Sequence, residues 1–104
     1  MSAENESLEI AHWLAARTPR PPRDLELRLT ALIGDSRATP AELPDALIGI
    51  AADAFAHLGD DRESALELLA ADALITYAME AAAEFHVEGA ASRAMMRIAD
   101  VTAR

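Results

Sequence analysis

A chain of 104 residues, about half of them hydrophobic and none of them cysteine, has room for one domain with one shallow core, and it excludes a disulfide framework or a thiolate metal site. Its formal charge of -9 is unevenly placed: residues 1–43 carry seven acids against five arginines, and residues 44–104 carry eleven against four. A phosphate backbone would be repelled by that second half, so nucleic acid is not an expected partner.

Alanine occurs 25 times, while the β-branched and aromatic residues that strands favour are sparse. Composition therefore points to an all-α fold, a single helical domain over residues 1–104. The opening Met1-Ser2-Ala3-Glu4 is acidic, with no apolar run behind it, which is not a secretory signal. Together with the lack of cysteine, this fits a cytoplasmic protein.

A first helix is expected from about Glu4 to Arg17, with Ile10, Trp13 and Leu14 as its apolar stripe and His12 on the solvated shoulder. Residues 18–23, Thr-Pro-Arg-Pro-Pro-Arg, cannot be helical and favour an extended, stiff connector. Pro21 and Pro22 flanked by arginines also resemble what aromatic-lined grooves bind, but a position between two helices suits a spacer better. A second helix starts with Asp24 as N-cap, carries Leu25, Leu29, Leu32 and Ile33 on one face, and stops at Gly34.

Thr39 and Glu42 have the spacing of a capping box, with Pro44 splitting off a short opening turn before a third helix over 45–58. Leu47, Ala51, Ala54 and Leu58 form its apolar row, with Ile48 and Phe55 adjoining. Gly59 at the C′ position and a second box, Asp60 with Glu63, predict a tight antiparallel hairpin into a long fourth helix, about 61–88. The expected architecture is a small bundle of four to five helices built around that long helix.

At 100° per residue, the long helix places Leu68, Ile75 and Met79 on one flank and Leu66, Leu74, Tyr77 and Phe85 on the other. Only a narrow stripe, with Asp72, Thr76 and Glu80, is polar. Glu67, Asp72, Glu80 and Glu84 interrupt the helix too often for a membrane span. Gly89 breaks the chain before a fifth helix, Ala91 to about Ala103, with Ala91, Met95, Ile98 and Thr102 on its apolar side.

Little here supports catalysis. Asp53 and His57 are i, i+4 neighbours, the spacing of an acid/base pair, but a solvated helix face yields that pair by chance. Carboxylate-bridged metal sites in bundles need Glu-x-x-His, which is missing, and Glu84 and His86 project about 200° apart. Ser2, Ser7, Ser36 and Ser64 have no local histidine partner, and four scattered glycines make no phosphate cradle. Glu67 is the acid that falls on the Leu74 side, near the positive end of its helix. No cofactor is expected.

Leu69-Ala70-Ala71-Asp72-Ala73-Leu74, followed by Tyr77-Ala78-Met79-Glu80, resembles a helix of the trans-polyprenyl diphosphate synthases. The resemblance implies an all-α setting. That family acts through two aspartate-rich motifs that bind magnesium and diphosphate, whereas this chain has only Asp60-Asp61 before Arg62-Glu63 and is far shorter, so no activity is carried over.

About a dozen large aliphatics face inward, each contributing roughly 1.5–3 kcal/mol when fully buried, which makes a thin core for a lone subunit. The expectation is therefore a non-catalytic interaction or oligomerisation module, homodimeric through Leu68, Leu74, Ile75, Met79 and Phe85, with a further protein partner conceivable. The alternative is a small-molecule regulator with an apolar pocket between the third and fourth helices near Phe55, Tyr77 and Phe85. A small enzyme of unknown class ranks third.

Overall fold

The computed structural model describes residues 6–59 and 62–103. The chain runs β1 (Leu8–Glu9), α1 (Ile10–Ala15), α2 (Arg23–Ile33), β2 (Arg37–Ala38), α3 (Leu43–Ala56), α4 (Arg62–Glu84) and α5 (Ala90–Thr102). It is a small all-α bundle in which α3 and α4 share the largest contact, α2 lies against α4, and α5 packs mainly on α3.

The first helix is shorter than its apolar spacing predicts. Leu8 and Glu9 instead bridge Ala38 and Arg37 in antiparallel register, and Ile10 N–H donates to Ser36 C=O at 3.1 Å. Arg37 holds the bridge in place, donating to Ser7 Oγ at 2.8 Å and to Ser7 C=O at 2.9 Å, and pairing with Glu9 at 3.3 Å. The 18–23 connector bends at Thr18 and Pro19 rather than running straight, and the Thr18–Pro19 peptide is cis. Arg20 links its two ends, reaching Ala15 C=O at 3.3 Å and Glu26 at 2.8 Å.

The second helix starts two residues earlier than expected. Pro22 occupies the N-cap position, and Asp24 lies in the first turn, where a negative charge still suits the helix dipole. Gly34 ends α2 as expected, at φ +58°. The Thr39–Glu42 box forms reciprocally: Glu42 N–H donates to Thr39 Oγ1 at 3.3 Å, and Thr39 N–H to Glu42 Oε1 at 3.2 Å. The Thr39 hydroxyl also donates to Glu42 at 2.9 Å, and this bond holds the carboxyl below its ordinary pKa. Helix α3 begins at Leu43, and Pro44 falls in its first turn, where no N–H is needed.

The turn into α4 is braced by Gly59 N–H donating to Ser64 Oγ at 2.8 Å. Gly59 is not among the left-handed residues, so it does not serve as the expected C′ glycine. The Asp60–Glu63 box lies outside the described residues. At its other end α4 stops at Glu84, before the expected boundary, in a Schellman turn. His86 takes the left-handed position at φ +55°, and Val87 N–H donates to Ala82 C=O at 2.9 Å. Gly89, at φ +78°, caps the start of α5 instead of ending α4.

Ile10, Leu29, Ile33, Leu43, Leu47 and Leu74 are fully buried at the centre. Around them, the buried seam of α4 is mostly alanine: Ala70, Ala71, Ala78 and Ala81 are all buried, and Ala70, Ala78 and Ala81 share one cluster with Ala51 of α3. Small residues on both helices let their axes approach closely. These four alanines of α4 are spent inside the subunit.

Candidate interaction surface

The two flanks of α4 meet different environments. On the Leu74 flank the bundle is closed. Leu74 is fully buried, and Tyr77 and Phe85 are half-buried against the core. Three polar ties hold neighbouring segments there. Arg28 of α2 pairs with Glu67 at 2.6 Å, Trp13 of α1 donates its indole N–H to Glu84 at 2.9 Å, and Arg17 reaches the same carboxylate at 3.0 Å. Arg17 also stacks 4.4 Å over the Trp13 ring. The Trp13 bond, reinforced by Arg17, holds the Glu84 carboxyl below its ordinary pKa.

The other flank is open. Between α4 and α5 runs a groove of about 610 Å³, with Phe55 of α3, Ile75 and Met79 of α4, and Met95 and Ile98 of α5 among its lining residues. Asp72 is the one charged residue lining it. Helix α5 is markedly amphipathic, yet only Ala90 and Ala94 of it are buried. Met95 and Met96 stand 74% and 73% exposed on its outer side. Leu68, 47% exposed, lies on the same side of α4 as Ile75 and Met79.

Of the five residues expected at an interface, Leu68, Ile75 and Met79 therefore lie on one accessible flank. Leu74 does not: it is sealed within the subunit, because α1, α2 and α3 cover the side of α4 that faces them. Phe85 is half-buried beside the core on the Leu74 side of the helix. Phe55 joins the groove from α3, and Met95 and Ile98 join it from the apolar side of α5.

The aromatic pocket expected between the third and fourth helices does not assemble. Phe55 is in the α4/α5 groove, whereas Tyr77 lines a different, partly open cavity of about 70 Å³ between α1, α2 and α4, whose walls include Leu14, Leu29 and Ile33. Burial raises the Tyr77 phenol above its ordinary pKa, with help from the charges of Glu80 and Glu26.

The i, i+4 pair also resolves differently from an acid/base couple. Asp53 and His57 are both exposed, and the His57 ring contacts the Asp53 backbone oxygen at 2.7 Å, not its carboxylate. At the end of α3 that carbonyl is an orphan acceptor, so the ring serves as a cap. Among the described residues no three His, Asp or Glu side chains gather in a way that could hold a metal ion, and no helix is long and apolar enough to cross a membrane.

No family model, no curated protein and no solved structure matches the chain.

Proposed function

We propose that the chain is a non-catalytic helical interaction module that pairs with a second copy of itself through the α4/α5 face. The observation that carries this is the unfilled apolar groove beside an uncovered apolar ridge: Phe55, Ile75 and Met79 lie at the groove, and Met95 projects from its lip. A two-fold arrangement fills each groove with the other copy's ridge, the self-complementary condition an isologous interface requires. Methionine, unbranched and adaptable, suits that role.

Charge favours a second copy on this face over any other. The chain carries -9, so most of its surface repels its twin. Helix α5, with two arginines against one aspartate, is the basic-leaning element of the acidic half, while α4 holds five acids against one arginine. Arg93 is tied to Asp45, and Glu67 and Glu84 to the closed flank, so the groove, with Asp72 as its one charged lining residue, is the face on which a second copy meets least repulsion. A cytoplasmic setting, suggested by the cysteine-free composition, belongs to the same proposal.

Light scattering with sedimentation equilibrium tests it. The wild type is expected to have the mass of two chains, and Met95→Asp the mass of one with unchanged helical circular dichroism, since Met95 contributes little to the subunit's own core. A wild type that sediments as a single chain at every concentration overturns the reading.

A further inference from the structure

The two methionines on the outer side of α5 are neighbours in the chain and nearly equal in exposure, 74% for Met95 and 73% for Met96. Their surroundings differ. Met95 lines the α4/α5 groove with Ile75, Met79 and Ile98, whereas Met96 lines an open depression with Arg93, Arg97 and Asp100. The chain has no cysteine, so methionine is its oxidisable sulfur, and access governs which thioether an oxidant reaches. Met79, half-buried in the groove wall, is less accessible than either.

We propose that Met95 is a redox-sensitive modification site, at which oxidation by a hydroperoxide separates the paired subunits; this rests on the pairing proposed above. The O–O bond of hydrogen peroxide breaks as one oxygen bonds to the Met95 sulfur. The thioether loses two electrons and becomes a sulfoxide, and the peroxide is reduced to water. A sulfoxide oxygen is a hydrogen-bond acceptor, and a second copy seated in the groove excludes the water that would satisfy it. Among the described side chains that line the groove, the one hydroxyl is that of Thr102, and it donates to Ile98 and Ala99 C=O at 3.0 and 3.3 Å. The Asp72 carboxylate only accepts. A sulfoxide at Met95 therefore enters a lining with no spare side-chain donor, and an acceptor buried without a partner opposes closure. Pairing acts back on the chemistry, because a covered Met95 is shielded. The oxidant reaches it in the separated chain and holds it there. Met96, off the groove, is the internal control.

The test uses the full chain and hydrogen peroxide. Met96→Leu keeps the groove and removes the exposed sulfur beside Met95, and before oxidation both it and the wild type are expected to sediment as two chains. After brief peroxide treatment of the variant, Met95 sulfoxide mapped by mass spectrometry should be at least about tenfold enriched in the one-chain fraction, with helical circular dichroism unchanged. In the wild type, Met95 should oxidise at least about fivefold more slowly where chains pair than where they are dilute, while Met96 changes by less than about twofold. A wild type that is a single chain before any peroxide overturns the pairing and this proposal with it. Two-chain assemblies that keep their mass with Met95 oxidised, a Met95 rate indifferent to concentration, or separation accompanied by loss of helix each overturn the proposal and leave the pairing standing. Should Met96→Leu fail to fold, the wild-type concentration series decides alone.

Discussion

Helix α4 offers its two sides as a comparison within one element. Toward α1 and α2, its neighbours are anchored by directional bonds: Glu67 to Arg28 at 2.6 Å, and Glu84 to Trp13 at 2.9 Å. Toward α5 the lining is apolar apart from Asp72 and Thr102, and the ion pair that fixes α5, Arg93 to Asp45 at 2.8 Å, runs to α3 instead. Apolar burial is non-directional. A side with a mainly apolar lining can therefore accept another surface, whereas a side with matched charges has already specified its neighbour.

The largest expected contrast is in stability. Leu74→Ala should cost about 2–5 kcal/mol by chemical denaturation, because Leu74 is fully buried and its neighbours relax only in part. Met95→Ala, measured dilute enough to keep subunits apart, should change stability by no more than about 0.5 kcal/mol. Equal costs would mean that the two sides of α4 are not different in kind.

A smaller effect of opposite sign is expected where α4 ends. His86 holds a left-handed backbone at φ +55° that glycine adopts without a Cβ penalty, so His86→Gly should stabilise by about 0.5–1 kcal/mol. Loss of stability there would assign the histidine ring a packing role that outweighs the strain.

The smallest effect concerns pH on the closed side. The folded pKa of the Glu84 carboxyl lies below its ordinary value of 4.5, so its contribution is present above that value and is lost as pH falls through the lower folded one. Trp13→Phe removes the main cause of the shift. Melting curves of the variant should therefore lose part of the decline below pH 4.5 that the wild type shows. Parallel acid profiles for both proteins would remove Trp13 from the anchoring of α1.

Local patterns announced much of this molecule before any packing was considered. The Thr39–Glu42 box, the Gly34 stop and the polar stripe of Asp72, Thr76 and Glu80 all depend on neighbours within one or two turns. What escaped was set by distant partners. Leu8 and Glu9 read as helix until Ala38 and Arg37 return beside them to pair. His57 reads as a partner for a carboxylate until the end of α3 leaves a carbonyl within its reach. The covered state of Leu74 was hidden because a helical wheel gives an angle but not what stands opposite it.

Composition and periodicity, taken alone, determined the helical class, the long central helix and the two apolar flanks that flank its polar stripe, since these follow from propensity and from a repeat of 3.6 residues. Tertiary packing decided which flank stayed uncovered. That choice turned on where α5 settled: its small residues Ala90 and Ala94 fit against the rest of the bundle and left its larger methionines facing outward. Shape complementarity between surfaces far apart in the chain is a property of the folded object, and no window of sequence contains it.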